Sequence, residues 1–364
     1  MSLQPKHDIV VCPWTPGNPR HDHQLIFPLD SERLMLVWCE YYVRTPSGVE
    51  RTVYDKTGQT GDDLPCQISA CLSRDRGRTW SEKFILQENV WWWNVKHPNL
   101  IRSPNGELIF FMTVWEGNKA RNIFMKRSSD NGETWSKPCQ ISEPGWYCNN
   151  NDHIVRLSSG RILLPAHGRA GLEWRGGKNE AGDFETVIHS FVYYSDDEFK
   201  TWKISDNTMT APGRGCHEPS IVELRDGRLL CFLRTTLGRI YKSYSEDQGV
   251  TWSEPVTTDL KAPDSPPLLS RIPSTGDLLL LWNHVESHNN WPRIPLASAI
   301  SRDEGESWTH IQNIDDRMHR DAAYAAVTFV ADEALVTYYS RDQDWSRDTE
   351  ITLRIYDVEQ FYAG

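Results

Sequence analysis

The stretch "SEDQGVTW" at residues 245–252 is one of four nearly identical eight-residue segments in a chain of 364 residues. The other three are "SRDRGRTW" at 73–80, "SSDNGETW" at 128–135 and "SRDEGESW" at 301–308. A more divergent fifth copy, "SDDEFKTW", occupies 195–202. The aspartates of successive copies are 50 to 67 residues apart. A period of this size indicates a repeat architecture, such as a propeller or a solenoid.

The shared pattern Ser-x-Asp-x-Gly-x-Thr-Trp has the chemistry of a tight turn. An aspartate carboxylate accepts hydrogen bonds from the backbone N–H groups that follow it, and glycine adopts positive φ angles without strain. The threonine and tryptophan then begin the next strand, and the indole packs beneath the turn. Because Phe199 occupies the glycine position of the divergent copy, we expect a changed turn there.

Apolar runs that begin at a glycine separate the turn motifs. Examples are "GELIFFMTVW" at 106–115, "GRILLPAH" at 160–167, "GRLLCFLR" at 227–234 and "GDLLLLWN" at 276–283. Runs of this kind are typical of buried strands. Each repeat therefore holds four strands, with the aspartate turn between the third and the fourth, and this is the organisation of a propeller blade.

Five motif copies define five blades, and residues 320–356 supply the strands of a sixth, which has only "SRDQDWSRD" in place of the motif. The segment "HDIVV" at 7–11 is placed to join the last blade and close the ring, which removes the free sheet edges. The sequence therefore predicts an all-β protein, a six-bladed β-propeller with Asp-box turns, formed as a single domain over residues 1–364.

Composition excludes several classes of function. The formal net charge of −11 argues against a nucleic-acid binder, and no apolar run is long enough to span a membrane. The eight cysteines form no CxxC pair and indicate neither a disulfide framework nor a metal site. The start of the chain lacks the blocks of a signal peptide, so we expect a cytoplasmic protein, or a secreted or periplasmic one if a native leader was removed. No cofactor is indicated.

With these repeats and strands, the chain resembles the sialidase superfamily, whose members carry Asp boxes on a six-bladed propeller. The resemblance covers nearly the whole chain and is strongest for the broad group of sialidase-like BNR-repeat proteins. Asp boxes lie on outer turns and also occur in propellers that are not enzymes, so we expect them to be structural. Functional residues should lie at the central mouth, on the innermost strands and the loops that join them.

The resemblance assigns catalytic roles in blades four and six. Glu218 enters a strand and Arg234 leaves the next one, and the turn at 225–227 should return both to the same end. Tyr324 enters blade six, and the resemblance implies that it is the nucleophile, with Glu218 assisting it. A phenol has an ordinary pKa near 10, and a neighbouring carboxylate base and flanking arginines would ease its deprotonation.

The resemblance also implies a general acid on the loop that follows the second strand of blade one. Asp63 lies where the family places this acid, and Asp62 is the alternative. A general acid must keep its proton near working pH, so burial should raise its pKa. An exposed pair of loop aspartates is the competing interpretation.

Three arginines that converge on one point repel each other unless they bind an anion, and guanidinium groups recognise carboxylates in a bidentate geometry. By resemblance, the three are Arg20, Arg234 and Arg293. The family pattern Arg-Ile-Pro is replaced here by Pro-Arg-His-Asp-His at 19–23, which brings two histidines and a carboxylate to the mouth of the pocket. Without three or four convergent ligands, this segment does not predict a metal site.

Other candidate substrate contacts are polar side chains at the ends of inner strands or in the adjoining loops. They are His21 and His23, Glu40 as an orienting partner of Arg20, His97, Asp152, His153 and Arg239.

The sequence thus predicts an exo-glycoside hydrolase for a carboxylate-bearing sugar, such as a sialic, another ulosonic or a uronic acid. The resemblance implies that the reaction retains the configuration at the anomeric carbon through a tyrosyl intermediate. The expected partner is an acidic sugar or glycoconjugate. Two alternatives stay open: a carbohydrate-binding propeller without catalysis, and a propeller lyase that cleaves uronate polymers.

Overall fold

The computed structural model of the protein describes residues 2–42, 64–89, 94–116, 120–169, 187–289, 291–342 and 348–363. In these residues, antiparallel strands form six sheets. Five of these sheets have four strands. The sheet formed by residues 147–204 has a fifth, short strand. The only helix of the described residues is a short 3₁₀ turn at Val358–Tyr362, so the all-β prediction is confirmed. Nothing helical in these ranges has the length and apolar character needed to cross a bilayer.

The strands in chain order are β1 (His7–Cys12), β2 (Arg20–Pro28), β3 (Leu34–Tyr41), β4 (Cys66–Ser73), β5 (Phe84–Gln87), β6 (Asn94–Arg102), β7 (Leu108–Glu116), β8 (Ala120–Ser128), β9 (Cys139–Gln140), β10 (Tyr147–Asn149), β11 (Val155–Arg156), β12 (Ile162–Gly168), β13 (His189–Ser195), β14 (Lys203–Ile204), β15 (His217–Glu223), β16 (Leu229–Arg234), β17 (Arg239–Ser245), β18 (Val256–Lys261), β19 (Leu268–Arg271), β20 (Leu278–Asn283), β21 (Leu296–Ser301), β22 (Thr309–Asp315), β23 (Arg320–Val330), β24 (Glu333–Asp342) and β25 (Glu350–Asp357).

Each sheet is a blade of the propeller. Blades one to five run consecutively from β2 to β22, and blade six has the order β23-β24-β25-β1. The amino-terminal strand β1 is therefore the outermost strand of the last blade, where His7 pairs with Ile355 and Asp8 with Arg354. As predicted from "HDIVV", the two ends of the chain meet in one sheet, and this pairing covers the edge of β25.

The core lies between adjacent blades. Between blades four and five, Phe232, Leu280 and Trp282 are fully buried in one apolar cluster. Similar clusters join the other neighbouring blades, because the middle strands of each blade are apolar on both faces. Their burial drives closure of the ring and leaves the polar ends of the inner strands at the central axis.

The Asp boxes close the turns between the third and fourth strands, as predicted. In the first box, the Asp75 carboxylate accepts a hydrogen bond from Thr79 N at 2.9 Å, and Ser73 Oγ accepts one from Gly77 N at 2.8 Å. Gly77 has a φ of 86°, and its carbonyl accepts a hydrogen bond from the Trp80 indole. The box is thus a self-contained turn on the outside of the ring.

The expectation of a changed turn at Phe199 was wrong. Phe199 adopts a φ of 67°, close to the values of the glycines, and its N–H donates to Ser195 Oγ at 3.0 Å. Its ring is fully buried against Phe111 and Trp202. Burial of an aromatic ring offsets the strain of a left-handed backbone, so the turn keeps its geometry without glycine.

A β-bulge recurs on the innermost strand of four blades and positions the site. The register slips within Asp22–Leu25, Lys96–Asn99, His217–Ser220 and Ala323–Ala326. In each of these bulges, one residue other than glycine adopts a positive φ angle. These four residues are His23, His97, Glu218 and Tyr324, with φ between 45° and 58°. Bulges re-aim side chains, and such strained residues concentrate at functional sites.

Candidate active site

The four bulge residues line one cavity of about 250 Å³ at the axis of the propeller. Its wall is formed by the ends of inner strands and by the loops that follow them. The remaining described residues of the wall are Arg20, Asp22, Tyr41, Lys96, Trp115, Arg121, Trp146, His167, Ile188, Arg214, His217, Arg234, Trp291, Arg293, Tyr339, Arg341 and Thr349. Arg20, Arg234 and Arg293 thus share one cavity with Tyr324.

Tyr324, Glu218 and Arg234 form a hydrogen-bonded group on one side of the cavity. The Tyr324 hydroxyl donates to Glu218 Oε1 at 2.9 Å, and Arg234 Nη1 donates to Glu218 Oε2 at 2.6 Å. Arg234 Nη1 also lies 3.1 Å from the phenol oxygen. The hairpin β15–β16 returns Arg234 to His217, next to Glu218, while the bulge in β23 presents Tyr324 from blade six.

Burial and charge set the protonation of this group. Burial and the Glu218 charge raise the pKa of Tyr324 above its ordinary value, although Arg234 and Arg293 oppose this. Burial also favours the neutral form of Glu218, but the Arg234 guanidinium outweighs it and lowers the pKa of Glu218 to about 2. These shifts favour a neutral Tyr324 phenol and an ionised Glu218 carboxylate near pH 7.

Asp264 is a buried partner of this group that the sequence analysis missed. Its carboxylate accepts hydrogen bonds from Arg234 Nε and from Arg214 Nη1, the latter at 2.8 Å. Burial favours its neutral form, yet the two guanidinium groups hold its pKa well below the usual range. Asp264 lies in the segment "PDSPP" before β19, and no motif distinguishes it from other loop aspartates.

Arg293 reaches the cavity from blade five. Its Nη1 donates to the Tyr339 hydroxyl at 2.8 Å, and its Nη2 donates to the Asp264 carbonyl at 3.0 Å. The Arg293 guanidinium lies 5.5 Å from the Tyr324 ring centre and 7% of its surface is exposed. Asp264 therefore holds both Arg234, through its carboxylate, and Arg293, through its backbone.

Blade one contributes a second ionic group beside the Tyr324 ring. Arg20 Nε donates to Asp22 Oδ2 at 2.7 Å, and His23 Nδ1 lies 2.6 Å from Asp22 Oδ1. The His23 and Tyr324 ring centres are 4.3 Å apart. Burial opposes a charge on His23, but the Asp22 carboxylate prevails and raises the pKa of His23 to about 9. Among the described residues, Asp22 rather than Glu40 is the carboxylate that pairs with Arg20.

One cluster of metal-ligand atoms occurs in the described residues. Atoms of Asp22, His23 and Cys39 lie within 4.8 Å of one another. Asp22 already pairs with Arg20 and His23, and the raised pKa of His23 favours an imidazolium, which has no lone pair for a metal. These residues fit a charge-paired group better than a metal centre.

The histidines of the cavity differ in charge. The His97 ring lies against the His23 ring, with ring centres 4.5 Å apart and the ring planes tilted by 57°. His167 and His217 stand together in blades three and four, and burial lowers the pKa of His167 to about 3. In the described part of the chain, His167 Nδ1 and His217 Nε2 are buried without a hydrogen-bond partner. Each of these two imidazoles therefore has a buried nitrogen atom that a polar ligand could contact.

Five predicted residues that the structure describes lie outside the cavity wall, and three of them, His21, Glu40 and Arg239, belong to blades one and four. Trp38 Nε1 donates to His21 Nδ1 at 3.1 Å, which directs His21 into blade one. The Glu40 carboxylate binds Ser69 Oγ at 2.7 Å and pairs with Lys83. Arg239 donates to the Asp259 carbonyl at 3.0 Å near the surface of blade four.

Asp152 and His153 line a different cavity of about 360 Å³, bounded also by Glu223 and Arg271. Asp152 has a φ of 54° and accepts a hydrogen bond from Val327 N at 3.3 Å. Burial raises the pKa of Asp152 to about 8. The predicted acids Asp62 and Asp63 lie outside the described residues.

Comparison with known proteins agrees with this architecture. A family model described as "BNR repeat-like domain" matches residues 61–337. A sialidase of Bacteroides fragilis is 23% identical over 311 residues, which cover 73% of this chain and 53% of that protein. A sialidase of Paraclostridium sordellii is 27% identical over 252 residues, which cover 59% of this chain and 58% of that protein. The chain thus spans little more than half the length of these two relatives.

Solved structures share the fold at low identity. A protein of unknown function from Dyadobacter fermentans superposes with a TM-score of 0.74 and 18% identity, covering 98% of this chain and 99% of that one. A Trypanosoma rangeli sialidase, crystallised as a covalent intermediate, has a TM-score of 0.70 and 15% identity, covering 99% of this chain and 60% of that one. Both likenesses show the six-bladed propeller and no more.

Proposed function

The chain belongs to the BNR repeat-like domain family, and on that footing we propose that it is an exo-glycoside hydrolase for a sugar that carries a carboxylate. Sialic acid is the first candidate, because the curated relatives are sialidases. The observation that carries the proposal is the contact of the Tyr324 phenol with Glu218, beside the guanidinium of Arg234. A binding protein has no need of a phenol hydrogen-bonded to a buried carboxylate.

The substrate carboxylate would bind between Arg234 and Arg293, whose guanidinium groups approach the Tyr324 ring from blades four and five. Both arginines are held in place by protein partners, Arg234 by the Glu218 and Asp264 carboxylates and Arg293 by Tyr339 and the Asp264 carbonyl. Planar guanidinium groups bind a carboxylate in a fixed geometry, which would hold the anomeric carbon near the phenol oxygen.

Anion binding would also activate the base. Glu218 has a low pKa because Arg234 stabilises its charge, and a carboxylate with so low a pKa is a weak base. A substrate carboxylate would share the charge of Arg234 and thereby raise the pKa of Glu218. The phenol would then lose its proton more easily when a substrate is present than in the empty site.

In the proposed reaction, Tyr324 transfers its hydroxyl proton to Glu218 while its oxygen forms a bond to the anomeric carbon. The bond from that carbon to the leaving oxygen breaks, and Asp63, or Asp62, protonates the leaving oxygen. Water then attacks the anomeric carbon and gives a proton to the deprotonated Asp63 or Asp62, while the bond from that carbon to the Tyr324 oxygen breaks. Glu218 returns its proton to the phenol, so two inversions give net retention. Sialidases are the recognised exception that uses tyrosine in place of a carboxylate nucleophile.

A lyase is the second candidate, and the histidines of the cavity favour it. Neutral His167 or His217 would accept the proton next to a uronate carboxylate while the bond to the glycosidic oxygen breaks and a carbon–carbon double bond forms. The low pKa of either imidazole would rise when the substrate carboxylate binds beside it. The unsaturated product absorbs in the ultraviolet, whereas the products of hydrolysis do not.

The test uses fluorogenic methylumbelliferyl glycosides of sialic acid, a uronic acid and a neutral sugar. We expect release of the fluorophore only from an acidic glycoside. NMR should show that the sugar released first has the same anomeric configuration as the substrate. A fluorinated sugar inactivator should add its mass to the tryptic peptide 321–341, at Tyr324. Binding of acidic sugars without turnover would favour a lectin, and an ultraviolet-absorbing product from uronate polymers would favour the lyase.

A further inference from the structure

Each of the four bulges interrupts the hydrogen-bond ladder of its inner strand. Two residues of the inner strand oppose one residue of the neighbouring strand, so the backbone groups of the two strands no longer match. The four doubled pairs are His23–Gln24, His97–Pro98, Glu218–Pro219 and Tyr324–Ala325. A buried backbone carbonyl that loses its ladder partner needs another donor, because burial without one is unfavourable. The geometry of the site therefore depends on the groups that bind the bulge carbonyls.

Side chains of blade three bind carbonyls in three of these bulges. The donors belong to the segment "NNNDH" at 149–153, where the short strand β10 ends. Their bonds join Asn149 Nδ2 to the His97 carbonyl at 2.7 Å, Asn151 Nδ2 to the Gln24 carbonyl at 2.8 Å and His153 Nδ1 to the Pro219 carbonyl at 2.8 Å. Burial lowers the pKa of His153 to about 4, so the ring is neutral, and its proton lies on Nδ1 because a carbonyl only accepts. One short segment thus contacts the inner strands of blades one, two and four.

The Gln24 side chain extends this set of bonds from blade one to blade six. Its Nε2 donates to the Tyr324 carbonyl at 2.5 Å and to the Thr337 carbonyl at 3.2 Å. Tyr324 lies in the bulge of β23, and Thr337 lies in β24 at the end of the same bulge. The amide nitrogen therefore uses both of its N–H groups to join the two strands that the bulge separates. Gln24 is fully buried, so solvent does not compete for these bonds.

These bonds act on the backbone of the two residues that the proposed reaction uses. Tyr324 has a φ of 55° and Glu218 a φ of 45°, and such strained conformations persist only where the surrounding structure enforces them. Gln24 holds the carbonyl of Tyr324 itself, and His153 holds the carbonyl of the residue that follows Glu218. The 2.9 Å contact of the phenol with the carboxylate depends on both bulges. Loss of either donor would let one bulge relax and move one of the two groups.

We propose that Gln24 and His153 are positioning residues, and that Gln24 aims the Tyr324 phenol while His153 aims the Glu218 carboxylate. The inference rests on the proposed function, in which the phenol forms the bond to the sugar and the carboxylate accepts its proton. Neither side chain belongs to the described wall of the central cavity, so both act through the bulges. Misplacement of a reacting group by about 1 Å lowers turnover by about a hundredfold.

The first test replaces Gln24 by methionine, which keeps the length of the side chain and removes the N–H donors. We expect kcat for the fluorogenic acidic glycoside to fall by about ten- to a hundredfold, because the phenol no longer lies at its bonding position. KM should change by less than about threefold, because the substrate carboxylate still binds to Arg234 and Arg293.

Gln312→Met is the matched control, because Gln312 is also buried and its Nε2 also donates to two carbonyls. The acceptors are Gln360 at 3.1 Å and Phe361 at 3.3 Å, and the bonds join the outer strand β22 to the 3₁₀ turn. Both methionine variants should lose a similar part of the free energy of unfolding, but only Gln24→Met should lose turnover. Equal falls in kcat would reduce Gln24 to a structural role and overturn the inference.

His153 permits a rescue experiment. His153→Leu removes the Nδ1 donor and should lower kcat, whereas His153→Asn places an amide N–H near the position of Nδ1 and should recover most of the activity. This pair tests the inference even if Gln24→Met does not fold. Recovery in the asparagine variant alone supports the positioning role, and equal kcat values in two folded variants would contradict it.

NMR supplies a measurement that does not depend on turnover. In protein labelled at the tyrosine ζ carbon, Tyr324→Phe identifies the Tyr324 signal, which reports the hydrogen bond from its hydroxyl to Glu218. The signal should move in Gln24→Met and stay in place in Gln312→Met. If the native protein hydrolyses nothing, a shift confined to Gln24→Met supports the positioning role and counts against the hydrolase. If the native protein hydrolyses the glycoside, while kcat and the Tyr324 signal are unchanged in Gln24→Met, the inference fails and the proposed function stands.

Discussion

The Tyr324 hydroxyl donates a 2.9 Å hydrogen bond to Glu218, although 106 residues separate them in the chain. Both residues occupy β-bulges on inner strands and have positive φ angles, 55° for Tyr324 and 45° for Glu218. This conformation strains the backbone of any residue other than glycine, and it persists only where the surrounding structure enforces it. The bulges therefore direct two side chains from different blades to one point on the propeller axis.

Replacement of Tyr324 by phenylalanine should abolish glycoside hydrolysis while the protein stays folded. The change removes only the hydroxyl that would form the bond to the sugar, so we expect kcat to fall by about a thousandfold or more. Stopped assays with the fluorogenic acidic glycoside measure this loss. The control is Tyr362→Phe in the carboxy-terminal 3₁₀ turn, and unchanged activity in Tyr324→Phe would exclude a tyrosyl intermediate.

Asp264→Asn should weaken both the fold and substrate binding. The carboxylate is buried and accepts from Arg234 and Arg214, and loss of one member of a buried charged network costs about 3–5 kcal/mol. Denaturant unfolding measures the free energy, and KM for an acidic glycoside should rise as Arg234 loses its anchor. The exposed Asp259→Asn serves as the matched control. Native-like stability in Asp264→Asn would show that the arginines are held by other contacts.

The Asp22–His23 pair predicts a pH dependence of stability. Because the folded pKa of His23 is raised to about 9 from 6.5, its charged form stabilises the fold fully below pH 6.5. That contribution, up to roughly 3 kcal/mol, is lost as the pH rises through about 9. The measurement compares unfolding free energies of native protein and His23→Gln at several pH values. The difference should shrink between pH 6.5 and 9, and a constant difference would contradict the pairing.

The Asp22–His23 pair also predicts a loss of folding stability at acidic pH. The pKa of Asp22 lies below its ordinary value because Arg20 and His23 outweigh the effect of burial. Its contribution is present above the unfolded pKa of 3.8 and is lost as the pH falls through the folded value. Asp22→Asn should remove this acidic pH dependence from the free energy of unfolding. It should also lower the pKa of His23, which an NMR titration of the imidazole measures.

An Asp-box substitution should separate stability from activity. Asp75→Ala removes the acceptor for Thr79 N on an outer turn, and we expect a loss of about 1 kcal/mol in unfolding free energy. Because the turn lies far from the cavity wall, kcat/KM should not change. A large fall in kcat/KM without any loss of unfolding free energy would contradict a purely structural role for this Asp box.

Removal of residues 1–12 should uncover an edge strand. β1 pairs with β25 and completes the sixth blade, so its loss leaves the backbone groups of β25 exposed. Exposed edges recruit other strands, and we expect aggregation and a lower unfolding temperature. Light scattering and thermal unfolding test this, with removal of the terminal residue 364 as the control. A monomeric truncated protein of native stability would contradict the closure.

Much of the architecture followed from local patterns. The Asp boxes and the glycine-initiated apolar runs predicted the blades, and "HDIVV" predicted the closing strand, because a turn motif and a strand are encoded by adjacent residues. Phe199 is the exception. Its left-handed turn depends on a buried site between Phe111 and Trp202, which the local sequence does not reveal.

The candidate site was predictable from the family resemblance for its catalytic group, and from position on the inner strands for His23 and His97. Tyr324, Glu218, Arg234 and Arg293 were named from motifs, and the structure brings them into one cavity. Asp264 carries no local signal and was missed. His21 and Glu40 sit among candidate residues in the sequence, yet strand alternation turns their side chains away from the cavity into blade one.

By itself, the sequence determined how many blades form and how each one turns, since those features depend on residues that are neighbours in the chain. Only the tertiary structure decided which charged groups meet at the axis. The bulges aim His23 and Tyr324 from different blades at one point, and Asp264 anchors arginines from two blades. Such contacts depend on how the closed ring positions its blades, and no local pattern records that geometry.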